Sequence, residues 1–143
     1  MHFKIKTAVQ QDYQSVFVGF DKRLFLALNP PLMPLKLLRF DGCKTGDEVH
    51  LKLAFGMKWI SLVTDFQERE NEIFFIDEGV QLPFFLTYWR HKHRIIKDGT
   101  SSILIDDITY RSSSKIMDYL LYPFLWMQFK YRSPVYRKLF RRV

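Results

Sequence analysis

Thr87-Tyr88-Trp89-Arg90-His91-Lys92-His93-Arg94-Ile95-Ile96-Lys97, Asp98-Gly99, then Thr100-Ser101-Ser102-Ile103-Leu104-Ile105-Asp106-Asp107-Ile108-Thr109-Tyr110-Arg111 is the stretch that decides how this chain folds. Two long runs, Phe84 to Lys97 and Ser101 to Arg111, flank a Gly-containing turn signal, which predicts an antiparallel hairpin. Side chains alternate along a strand, so Tyr88, Arg90, Lys92 and Arg94 share one face. Four long basic or phenolic groups in a row belong in water. Trp89, His91 and His93 must then face inward. With Asp98-Gly99 as a two-residue loop, His91 falls opposite Asp106, Trp89 opposite Ile108 and His93 opposite Leu104. A turn one residue longer sets Asp107 across from His91. In either register the imidazole meets a carboxylate.

Upstream, four further runs read as strands: Leu35 to Phe40, Glu48 to Phe55, Met57 to Phe66 and Glu72 to Ile76. Their punctuation is Asp41-Gly42, the charged segment 67–71, and Asp77-Glu78-Gly79. Phe3 to Ala8 alternates as a half-exposed first strand. Gln11 to Phe20 and Lys22 to Leu28 read as two short helices, the second stopped by Asn29-Pro30-Pro31. Consecutive strands joined by short turns predict an antiparallel meander.

Downstream, Ser112-Ser113-Ser114 offers helix N-caps. Ile116, Leu120, Phe124, Met127, Tyr131, Val135 and Leu139 then recur at steps of three or four, a helical period. Pro123 predicts a kink, and Pro134 a second kink or a restart. A sheet of this length needs a partner layer for its apolar face, and this helix supplies the long apolar candidate. The expectation is one α+β domain over residues 1–143. In it, a seven-stranded curved antiparallel sheet wraps a long C-terminal helix, with two short helices between the first two strands.

Composition bounds the function. Of 143 residues, 17% are aromatic, which suits either a dense core or a ring-lined cavity. Cys43 is the single cysteine, so no intrachain disulfide, thiolate zinc cluster or Cys-x-x-Cys pair is available. Cys43 lies in a turn with no assignable base and reads as a bystander. Lysines interrupt the N-terminus, so no signal peptide is expected. No run reaches the ~18 apolar residues of a membrane span, and the expected compartment is the cytoplasm. The net charge is +7, and the segment from Lys115 onward holds seven basic groups against one acid, Asp118. Such a tail attracts phosphates or completes a helix end. No readout motif accompanies it, so nucleic acid is not an expected partner.

Several segments together resemble the ligand-binding branch of the SRPBCC, or START-like, superfamily. They are Phe75-Ile76-Asp77-Glu78, Leu82-Pro83-Phe84, Trp89-x-His91-x-His93 and Asp106-x-Ile108-x-Tyr110. Leu28-Asn29-Pro30-Pro31, Gly46-Asp47-x-Val49, Trp59 and Phe129-x-Tyr131-Arg132 extend the resemblance over almost the whole chain. Plant pathogenesis-related allergens, lipid-transfer domains and polyketide cyclases share that superfamily. The resemblance implies a helix-grip fold and a pocket between the long helix and the inner sheet face. As a guide to function it is broad, because carriers, receptors and enzymes use the same scaffold.

Trp59, Trp89, His91, His93, Asp106 and Tyr110 are expected on the pocket wall, with Phe124 and Gln128 contributed by the helix. Three roles are open for the His91–Asp106 pair. It satisfies two buried polar groups, it orients a ligand, or it acts as a general base in cyclase- or dehydratase-like chemistry. His-x-His with an acid also suits a metal, although no open metal site is evident and no cofactor is expected. The leading expectation is a non-enzymatic binder of a small hydrophobic or amphipathic molecule. The residues from Tyr119 to Tyr131 are apolar on nearly every side of their helix. Either the two early helices and loops cover these residues, or they form surface aromatics for a homodimer contact or an anionic lipid surface.

Overall fold

The computed structural model describes residues 1–29 and 34–143. Pro30 and Pro31, the expected stop of the second helix, lie outside the described residues. The elements are β1 (His2–Val9), α1 (Tyr13–Val18), α2 (Lys22–Ala27), β2 (Lys36–Phe40), β3 (Glu48–Lys52), β4 (Lys58–Glu68), β5 (Glu72–Gln81), β6 (Tyr88–Asp98), β7 (Ser101–Arg111), α3 (Lys115–Lys130) and α4 (Arg132–Leu139). The seven strands form one antiparallel sheet ordered β1-β7-β6-β5-β4-β3-β2. β1 and β2 are therefore the two edges, and α1 and α2 carry the chain from one to the other. Register breaks at Leu37/Arg39, Ile60/Ser61 and Val63/Asp65 bend the sheet, as bulges do. The C-terminal helices pack across the concave side. This is the helix-grip arrangement of an α+β domain.

Local chemistry places the helix starts. Asp12, Asp21 and Ser114 are N-caps whose side chains accept from Ser15, Leu24 and Met117 backbone N–H groups. Pro123 lies inside α3, on its exposed side, without ending the helix. The helix restarts after Tyr131, and Pro134 then falls in the first turn of α4, where its missing N–H costs nothing.

The structure corrects four expectations. First, Asp98 pairs with Ser101, so the loop is Gly99-Thr100 and the hairpin register moves by two. Gly99 adopts φ +60° at the first loop position, where hairpin turns demand positive φ. His91 thus faces Ile108, and His93 faces Asp106. A shift of two keeps every side chain on its expected face. Second, β5 runs on to Gln81, so Asp77-Glu78-Gly79 is strand rather than turn. Third, β3 stops at Lys52 and β6 starts at Tyr88. Phe55 sits in a turn, fully exposed at φ +61°, and Phe84 lies in a loop. Fourth, the helical stripe points the wrong way: Ile116, Leu120, Met127, Tyr131 and Leu139 are exposed, while Leu125, Phe129, Ser133, Tyr136 and Phe140 are buried.

Two apolar clusters hold the layers together. One joins Phe3, Trp59, Trp89, Ile108 and Tyr110 to Leu125 and Phe129 of α3. The other joins Val16 and Leu24 of the short helices to Ile95, Leu104, Tyr136 and Phe140. Burying each large side chain contributes roughly 1.5–3 kcal/mol, so these contacts dominate the attachment of helix to sheet.

Candidate functional site

Between α3, the α2–β2 side of the molecule and the inner faces of β3 to β6 lies a cavity of about 150 Å³. Its walls are mostly apolar, including Leu24, Phe25, Leu51, Trp59, Trp89 and Leu125. That volume matches a cavity that accepts one benzene-sized molecule. Trp59 and Trp89 meet edge to face with ring centroids 4.8 Å apart, and the Trp59 indole N–H donates to Ser61 Oγ at 3.1 Å.

One side of the cavity is polar. His91 and His93 stand two residues apart on β6 and stack with centroids 3.5 Å apart. Phe75 of β5 stacks on the other side of His93 at 4.2 Å. His91 Nε2 donates to Asp106 Oδ1 at 2.8 Å, and His93 Nε2 donates to Asp77 Oδ2 at 2.6 Å. The two rings run in opposite senses. His91 Nδ1 lies 3.9 Å from Asp77 Oδ2, and His93 Nδ1 lies 4.0 Å from Asp106 Oδ1. Arg132 from α4 closes the group, its Nη1 3.5 Å from Asp106 Oδ1 and 3.4 Å from the Tyr136 hydroxyl. Its guanidinium also lies 4.5 Å from the centre of the Phe129 ring.

Charge in this cluster follows from burial and partners. Burial and then the neighbouring His91 push His93 from 6.5 down to about 4, so it is neutral near pH 7. Burial works against the Asp77 carboxylate, but the His93 hydrogen bond and nearby positive charge outweigh it and hold its pKa below the usual value. Asp106 follows the same course, with His91 and Arg132 outweighing burial. Burial opposes the Arg132 charge too, and Tyr136 and Asp106 more than compensate. Two carboxylates and one guanidinium are therefore ionised in a largely buried site. Since the Asp77 carboxylate only accepts, neutral His93 carries its proton on Nε2 and leaves Nδ1 a bare acceptor. His93 Nδ1 and Gln128 Nε2 are buried without a hydrogen-bond partner among the described residues.

The expected wall residues divide. Trp59, Trp89, His91, His93 and Gln128 line the cavity. Asp106 stands behind His91 instead of on the wall. Tyr110 is fully buried in the core, and its hydroxyl donates to the Asp118 carbonyl at 2.7 Å, near the start of α3. Phe124 packs half-buried against the same core. Asp77 and Arg132, which do line the cavity, received no role from the sequence. Asp77 reads as part of a turn there, although the period-two series Ile73, Phe75, Asp77 points it inward. Cys43 also lines the cavity, but burial pushes its thiol up to about 12, so it carries no thiolate. One donor atom each from Asp77, His91 and His93 lies within 4.8 Å of the others. Two imidazoles and a carboxylate suit a first-row divalent cation, and the adjacent Arg132 charge works against one.

The fold recurs in solved structures. Protein XoxI from Bacillus cereus superposes with a TM-score of 0.65 at 15% identity, covering 97% of this chain and 94% of that one. Norcoclaurine synthase from Thalictrum flavum, in complex with dopamine and hydroxybenzaldehyde, gives 0.60 at 11% identity, with 87% and 76% covered. A nucleoside-diphosphate sugar epimerase from Corynebacterium glutamicum gives 0.65 at 18% identity, with 76% of this chain covered. This chain spans only about a quarter (24%) of that epimerase chain. At these identities the likeness establishes the helix-grip fold. No protein-family model matches the sequence, and no curated protein matches it either.

Proposed function

We propose that this chain is an SRPBCC-type binding protein for a small molecule with an apolar body, about one ring in size, and a hydroxyl at one end. The carrying observation is the pair of unpartnered polar atoms on cavity-lining residues, the acceptor His93 Nδ1 and the donor Gln128 Nε2. A buried polar group left unsatisfied costs roughly 1–3 kcal/mol. A ligand hydroxyl that reaches either atom relieves it, by donating to His93 Nδ1 or by accepting from Gln128 Nε2. The apolar walls take the rest. The small molecules bound to norcoclaurine synthase support the same use of the same fold.

Phenol and toluene differ by that hydroxyl and test the reading. Calorimetric titration should show phenol binding about tenfold more tightly, the equivalent of one satisfied hydrogen bond. Gln128→Leu should shrink that preference. Equal affinity for the two, or no binding of either, contradicts the proposal.

A second reading has one observation in its favour. Asp106 sits behind His91, both side chains only 4% exposed, the arrangement that orients an imidazole for proton transfer. Under that reading the protein is a cyclase- or dehydratase-like enzyme, and His91 with Asp106 is its base. Turnover of a hydroxylated cyclic ketone that disappears in His91→Gln while binding persists would favour it.

A further inference from the structure

We propose that the outer face of α3 docks the protein onto an anionic lipid surface. Ile116, Tyr119, Leu120, Trp126, Met127 and Tyr131 are 75%, 68%, 65%, 39%, 53% and 40% exposed. They recur at steps of three, one, six, one and four, which fall within about 140° of one helix face. It extends for roughly 23 Å along the helix axis. The opposite face of the same helix is consumed by the sheet and the cavity through Leu125, Gln128 and Phe129. An exposed apolar stripe spanning about four helical turns marks an interaction site.

The charges around it select the partner. Lys115, Lys130, Arg137, Lys138 and Arg141 are all exposed. From Lys115 onward Asp118 is the sole acid, and it turns back to accept from the Ser112 backbone N–H and hydroxyl at 2.6 Å each. A second copy of this chain presenting the same face would bring like charges together. A bilayer with acidic headgroups offers an apolar layer and negative charge at adjacent depths, matching stripe and flanks. One tryptophan and two tyrosines suit the boundary between them. No helix among the described residues is long and apolar enough to cross a membrane, so α3 would lie along the surface.

The test is flotation with vesicles of phosphatidylcholine alone and of phosphatidylcholine containing about one-third phosphatidylserine. The protein should float with the acidic vesicles and be released as salt rises, because screening weakens surface attraction. Lys130→Glu with Lys138→Glu should lower partitioning by about 25-fold or more, at roughly fivefold per charge removed. Leu120→Glu with Met127→Glu should abolish it, with the melting temperature and phenol titration unchanged because both side chains are more than half exposed, at 65% and 53%. Trp59 and Trp89 are buried, so Trp126 should carry the emission quenched by brominated lipid. Equal flotation with neutral vesicles, no flotation, or a stable dimer that Trp126→Glu dissociates would each overturn the proposal. These outcomes leave the cavity reading untouched, since they do not involve its walls.

Discussion

His93 lies in a stack of three rings, with Phe75 on one side and His91 on the other. Its environment makes protonation costly, and that cost has a sign in stability. An unfolded chain takes up a proton at His93 as pH falls below the ordinary 6.5, whereas the folded chain resists until about 4. The stabilisation is complete above pH 6.5 and is lost progressively down to about 4. Asp77 and Asp106, held below the usual carboxylate range, add a further loss at still lower pH. Circular dichroism melts between pH 7.5 and 4 (a range set by these values) should show a falling melting temperature. In His93→Gln the fall should be shallower, even though the variant starts less stable. Parallel slopes for the two proteins would show that His93 titrates alike in the folded and unfolded chains, contradicting the depressed value.

β1 and α4 are tied at one buried point. Thr7 and Ser133 hydroxyls lie 2.6 Å apart, 2% and 1% exposed. Thr7→Val leaves Ser133 without that partner and should cost about 1–3 kcal/mol in urea unfolding. Ser133→Ala should cost a similar amount, and the double variant less than the sum, because the second change removes the orphan left by the first. Additive costs would mean the two hydroxyls are independently satisfied. Elements also show where sequence reading reaches its limit. The strands of the β6–β7 hairpin were legible because alternation of charged and ring side chains fixed their faces, and a register error of two preserved those faces. The face of α3 was not legible. Tyr119 to Tyr131 is apolar on nearly every side, so the 3.6-residue period fits several stripes almost equally. The buried face is clearer in α4, where buried Tyr136 stands beside exposed Arg137 and Lys138.

Across the whole molecule, seven strands separated by short turns and followed by one long helical segment define the architecture from the sequence alone. The cavity was legible as a wall of rings and histidines, but its polar end was only half so. Asp77 was hidden in Asp77-Glu78-Gly79, which has turn composition yet forms strand because β4 and β6 pair on both sides of it. Arg132 was read as part of a solvated basic tail, whereas the fold brings it against Asp106. Such long-range placement, across 26 residues of chain, is a property of packing and carries no local signal. The molecule that results has an apolar, ring-sized chamber with an ionised polar end, and a greasy, basic outer ridge on the helix that closes it.

The central claim is that the chamber receives a ring and that one of the two unpartnered atoms receives its hydroxyl. A crystal grown with 4-bromophenol measures this directly, because bromine marks its own position by anomalous scattering. The account predicts bromine between Trp59 and Leu125, with the phenolic oxygen within hydrogen-bond distance of His93 Nδ1 or Gln128 Nε2. Bromine only on the outer surface, or a chamber filled by its own side chains, would contradict it.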